Sequence, residues 1–212
     1  RMVAVCGSQA VDNGDDDGDV DLFLITEPGR LWLVQSLTMV LRRFGRLLGI
    51  DICPNYLLTT GALGIEERSL YAAREAAQAV PLWGLSAYAR FLEANRWIEG
   101  FLPQLSTEGR PIPEPRPRHR LTALAERLLA GRAGDLADRA VHRALLVYYR
   151  WRLKRHGWRR QQIERAYRRD RQVVITGGYA AAVARRFVDR GTALLDGLLS
   201  ADELRAVFFG LA

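Results

Sequence analysis

Two aspartates, Asp19 and Asp21, flank Val20 at the entry to the apolar run Val20 to Thr26. If that run is a strand, its side chains alternate in direction, so both carboxylates point to one face about 7 Å apart. A third acid, Asp51, opens another apolar run, Ile50 to Leu58. If the two strands are neighbours, the three carboxylates share a face and form a hard oxygen site. Such a site suits Mg2+, which takes one or two carboxylates and completes its octahedron with water and substrate phosphates. A solvated acidic turn accounts for Asp15 to Asp17, but carboxylates entering an apolar strand are costly unless something pairs them. A calcium loop fails on spacing: with Gly18 as the sixth position of a twelve-residue loop, the twelfth, which must be an acid, is Leu24. Upstream, the pair Gly7-Ser8 ends a short apolar run, where a missing side chain lets backbone and hydroxyl approach a phosphate.

Regular elements must hold these residues. Val3 to Cys6 reads as a strand, Asp12 to Gly18 as a loop without hydrophobic period, and Val20 to Thr26 as the next strand. After Pro28-Gly29, the apolar residues Leu33, Leu37, Val40, Leu41, Phe44, Leu47 and Leu48 recur at three- and four-residue intervals, with Arg42, Arg43 and Arg46 between them. That spacing predicts an amphipathic helix stopped by Gly49. The third strand follows, then helices over 66–80 and 87–102. Five prolines between Pro103 and Pro117 exclude regular helix and predict an extended connector over 103–119. Beyond it the pattern is helical: 121–130, 135–155, 159–169, 179–199 and 201–209.

The three acidic and glycine elements resemble the nucleotidyltransferase superfamily related to DNA polymerase beta. Its pattern is a strand ending in Gly-Ser or Gly-Gly, about a dozen residues to an Asp-x-Asp within an apolar strand, and a later strand carrying a third acid. Here it reads Val5-Cys6-Gly7-Ser8, Asp19-Val20-Asp21-Leu22-Phe23 and Ile50-Asp51-Ile52. The resemblance covers residues 3–58 and extends toward Gly84, where Ala73-Arg74-Glu75 and Pro81-Leu82 look like bacterial members. It implies an enzyme that transfers a nucleoside monophosphate from an NTP such as ATP to an acceptor hydroxyl, releasing pyrophosphate. It also implies two Mg2+ or Mn2+ ions on Asp19 and Asp21, with Asp51 on the catalytic ion and helping to remove the hydroxyl proton. Gly7 and Ser8 would then orient the phosphates. Two departures stand out: Gly18 precedes the first Asp where the family often has Ser, and Ala10-Val11-Asp12 stands where it often has Ala-Arg-Gly. Arg30, Arg42 or a basic residue of the rear half would have to replace the missing cation.

The expected fold is α/β (α+β), a small mixed sheet with helices on one side over residues 1–102. A proline-rich linker over 103–119 and an all-helical basic domain over 120–212 follow, the two domains forming a cleft with acids on one wall and arginines on the other. The charge is divided in the same way: residues 1–109 carry 9 Arg against 14 acids, and residues 110–190 carry 21 basic residues against 7 acids. All but one of the basic residues are arginine, whose planar fork suits phosphate, although a genome rich in G and C would write the same residues. From His142 to Arg171, arginines interleave with Tyr148, Tyr149, Trp151, Trp158 and Tyr167. This run is either a grip for a nucleic-acid acceptor, RNA above all, or an amphipathic helix pair with its aromatics in the core. A small molecule or a protein hydroxyl is the alternative acceptor, and a fold that binds without reacting is the third reading. His119, His142 and His156 read as surface or phosphate-contacting residues, and Cys6 and Cys53 as packing residues. No run approaches the roughly 18 apolar residues of a membrane span, and the N-terminus lacks the pattern of a secretion signal, so the cytoplasm is the expected compartment.

Overall fold

The computed structural model describes residues 1–11, 18–104, 120–173, 177–194 and 199–210. The acidic loop at 12–17 and the proline-rich connector over 105–119 lie outside the described residues. Five strands form one sheet: β1 (Met2–Cys6), β2 (Val20–Thr26), β3 (Ile52–Thr59), β4 (Val80–Trp83) and β5 (Arg171–Val173), in the order β4-β1-β2-β3-β5. β2 and β3 run parallel, and the other pairings are antiparallel. The parallel pair requires a crossover, which helix α1 (Leu31–Leu47) supplies. The sheet is therefore mixed, as the sequence suggested, but it carries helices on both faces rather than one.

On one face lie α2 (Leu70–Gln78), α3 (Leu85–Ala94) and α4 (Ile98–Phe101), packing Ala73, Ala76, Phe91 and Ile98 against Met2, Ala4, Phe23 and Ile25. Four alanines on the buried side of α2 let it approach the sheet closely, and Ser69 starts it by accepting the Ala72 N–H. On the other face, α1 packs with α6 (Gly131–Lys154) and α7 (Arg160–Ala166), burying Leu24, Leu31, Trp32 and Leu57 with Tyr149, Ile163 and Tyr167. The front and rear lengths of chain thus share the core on this second face. The remaining helices are α5 (Arg120–Leu128), α8 (Gly177–Leu194) and α9 (Ala201–Phe209); α8 and α9 pack together beside α2.

Two expectations change here. The rear half is not all-helical, because Arg171–Val173 adds a strand beside Tyr56–Leu58; at three residues it is too short to leave a period in the sequence. The segment around Pro81, read as a break between helices, is strand β4. Proline is tolerated there because β4 is an edge strand.

Helix α1 departs furthest from its pattern. Leu31, Trp32, Gln35, Thr38 and Gly45 are its buried residues, whereas Leu37, Val40, Leu41, Phe44, Leu47 and Leu48 are exposed. Its orientation is fixed by polar ties. The fully buried Asp138 of α6 accepts the N–H groups of Trp32 and Leu33 through Oδ1 at 2.8 and 3.1 Å, satisfying two donors of the first turn. Gln35 donates to the Tyr149 hydroxyl, and Thr38 donates to Gln35.

Candidate functional site: an acidic and arginine-lined cleft

β1 and β2 bring the first acids into place. Cys6 lies opposite Asp21 across the antiparallel pair, and the chain then turns sharply at Gly7, whose φ is 71°. A side chain at Gly7 would collide with the Asp21 carboxylate, so the glycine brings its backbone against that acid. Ser8 follows in a 3-10 turn, Ser8–Val11. Gly7, Ser8, Asp19 and Asp21 line one cleft of about 920 Å3.

In the parallel register between β2 and β3, Asp21 faces Cys53, and Asp51 lies just before β3 begins. The group brought together is consequently Asp19, Asp21 and Cys53, whose carboxylate oxygens and thiol sulfur lie within 4.8 Å of one another. Asp51 is engaged elsewhere. Arg42 bonds both of its oxygens, at 2.8 and 3.2 Å, and Arg46, one turn further along α1, does the same at 3.2 and 2.9 Å. The paired guanidiniums hold the Asp51 carboxyl down at about 2.

Asp21 and Cys53 titrate upward. Burial, and then the charge of Asp19, push Asp21 up to about 6, against the opposing influence of the Cys53 thiol and Arg42. Burial and Asp21 raise the Cys53 thiol to about 11. A further acid, Glu75 of α2, lines the same cleft; burial and Asp21 raise its carboxyl, against the lowering influence of Arg74 and the Gly7 backbone. An isolated Glu on an alanine-rich helix gave no signal of a site beyond the likeness of Ala73-Arg74-Glu75 to bacterial sequences.

Cations complete the cleft: Arg42, Arg43 and Arg46 from α1 and Arg152 from α6 line it. Arg30 is used otherwise, tying α1 to α6 through Asp135 and the Gly131 carbonyl. The aromatic run divides. Tyr149 and Tyr167 are buried and stacked with centroids 4.2 Å apart, whereas Trp151 is 56% exposed with the Arg155 guanidinium over its ring. Several of the interleaved arginines pair with acids, Arg150 and Arg160 with Glu164, and Arg168 and Arg171 with Glu66. His142 is half-buried and engaged with the fold: it stacks on Trp32, and its Nε2 meets the Tyr167 carbonyl at 3.1 Å. His156 lines the cleft, and His119 falls outside the described residues.

Comparison of the chain with protein-family models, with curated proteins and with solved structures finds no match in any of the three. Among the described residues, no helix is long and apolar enough to cross a membrane.

Proposed function

We propose that the cleft binds a nucleoside triphosphate with a divalent cation and transfers its nucleoside monophosphate to an acceptor hydroxyl. One observation carries this reading: the carboxylates of Asp21 in β2 and of Asp19 just before it stand in the same cleft as three guanidiniums of α1. Carboxylate with guanidinium is the pairing that a metal-bound triphosphate needs, since the phosphates bridge the two charges.

Asp19 and Asp21 fit Mg2+ or Mn2+ as a pair of oxygen donors to which phosphate oxygens are added. The third group, a thiol at Cys53, is a poor ligand for Mg2+. Bound on the two carboxylates, the cation supplies charge neutralisation at the phosphates and lowers the pKa of an attacking hydroxyl. The protein's own residues do the rest. Asp51 is a positioning residue, holding the forks of Arg42 and Arg46 at the cleft wall for phosphate oxygens, in the role left open by Val11. The positive φ of Gly7 lets backbone and the Ser8 hydroxyl approach the phosphates. Glu75, which lines the cleft beside Asp21 without being one of the cation's two donors, is the group placed to take a proton from the acceptor.

A polyanionic acceptor such as RNA is supported by Arg152 in the cleft and by the exposed Trp151 and Arg155. The second reading, a protein that binds without reacting, is favoured by Cys53 standing where a third carboxylate was expected. Incubation with each α-32P-labelled NTP, Mg2+ or Mn2+ and total cellular RNA decides between them. Transfer of label by the intact protein and none by an Asp19→Ala, Asp21→Ala variant supports transfer. NTP binding without label in any product supports the second reading.

A further inference from the structure

Gln172 is 2% exposed, and its amide oxygen has no hydrogen-bond partner. A buried amide oxygen left alone is costly, so native interiors keep few of them. The other orphaned buried atoms belong to groups satisfied at a second atom. Asp138 accepts twice through Oδ1, Arg150 bonds Glu164, and Arg171 bonds the Gly64 carbonyl. Gln172 makes no side-chain hydrogen bond to any described residue, and it lines the cleft that holds Asp19 and Asp21.

Its surroundings explain what the cleft does there. β5 pairs only with Tyr56–Leu58, so the β3 backbone from Ile52 to Asn55 has no strand on that side among the described residues. The cleft passes this open edge. At one end are the acids, Gly7 and Glu75. At the other are Gln172, Gln35, Tyr148 and the stacked Tyr149 and Tyr167. Arg42 stands with them as a cleft residue, and Arg152 donates to the Tyr148 hydroxyl. One end thus carries the carboxylates, the other flat rings and amides with Arg42 and Arg152 beside them.

We infer that this second end is the base subsite of the nucleotide, with the Gln172 amide oxygen accepting an N–H of the base and Tyr148 offering a stacking face. The inference rests on the proposed triphosphate site at the opposite end. All four nucleobases carry an N–H donor beside an acceptor on one edge, and a glutamine amide can meet such an edge with both of its atoms. A cleft of about 920 Å3 accommodates a whole nucleotide.

The test measures calorimetric affinities of the wild-type protein, Gln172→Met and Tyr148→Leu for the four NTPs and for inorganic tripolyphosphate, all with Mg2+. Methionine keeps the length of glutamine without its hydrogen bonds, and Tyr148, 38% exposed, can be changed without opening the core. Wild type is expected to bind at least one NTP about tenfold or more tighter than tripolyphosphate, the loss of one buried hydrogen bond being of that order. Each variant should lose most of that ratio while keeping its tripolyphosphate affinity. If tripolyphosphate binds as tightly as every NTP, or if both folded variants keep the wild-type ratio, the base subsite is overturned while the phosphate site stands. If Gln172→Met does not fold, the Tyr148→Leu ratio decides alone. If neither tripolyphosphate nor any NTP binds, the triphosphate reading falls and the base subsite with it.

Discussion

Replacing Asp51 with asparagine separates the two roles this residue can have. As a metal ligand, its loss would weaken Mg2+ binding by about tenfold or more, the usual cost of disturbing a coordination shell. As the anchor of Arg42 and Arg46, its loss should show in stability instead. The carboxyl is lowered from 3.8 to about 2 by the two guanidiniums. At about 1.4 kcal/mol per pH unit this equates at most to roughly 2.4 kcal/mol. The Asp51 side chain is 35% exposed, however, and Arg46 is 55% exposed. Water screens the pair and leaves about 1 kcal/mol. A lowered folded-state pKa gives stability that is present above the unfolded value of 3.8 and lost as the pH falls through about 2. In urea unfolding, Asp51→Asn should therefore be about 1 kcal/mol less stable than wild type at pH 5 to 7. The difference should shrink between pH 4 and 2, with Mg2+ affinity changed by less than about threefold. A variant as stable as wild type at pH 7, or one that loses Mg2+ binding tenfold, would refute the reasoning.

Asp21 has the opposite sign. Its folded-state pKa of about 6 lies above the unfolded 3.8, so the folded chain holds the proton more tightly. The cation-free protein should gain stability as the pH falls from 7 to 5, and Asp21→Asn should be more stable than wild type at pH 7.5 by about 1 kcal/mol, allowing for solvent screening, as urea titration would show. Asp138→Ala removes the acceptor of two first-turn N–H groups of α1 and should cost about 2–3 kcal/mol in the same titration, with Asp138→Asn costing less because it keeps a carbonyl oxygen. Gly7→Ala forces a side chain into the Asp21 carboxylate at a positive φ; it should cost at least about 1 kcal/mol and weaken Mg2+-dependent NTP binding in calorimetry.

Strands that carry a clean apolar run were legible in the sequence. β1, β2 and β3, the crossover helix and the last helix lie within a few residues of where the spacing put them. β5 was not legible, because three residues cannot show a period, and β4 was hidden by Pro81. The site was legible as far as Asp19 and Asp21, whose alternation about Val20 fixes a shared face. The third member depends on strand register, and a shift of two residues decides whether Asp51 or Cys53 faces Asp21. Periodicity cannot fix that register, and neither could it reveal that Arg42 and Arg46, four residues apart on α1, would converge on Asp51. The face that α1 buries was also beyond reach. Its apolar stripe predicts burial of Leu37, Leu41 and Phe44, but the contacts from Asp138 and Tyr149, more than a hundred residues away, turn Trp32, Gln35 and Thr38 inward.

The most direct measurement of the central claim is electron paramagnetic resonance of Mn2+ added to the protein, with and without a non-hydrolysable NTP, in wild type, Asp19→Ala, Asp21→Ala and Arg42→Ala. Bound Mn2+ that requires both aspartates, is held more tightly when the NTP is present, and loses that NTP-dependent gain in Arg42→Ala is the predicted result. Mn2+ binding that survives removal of the aspartates, or no bound Mn2+ in wild type even with the NTP, would contradict the account.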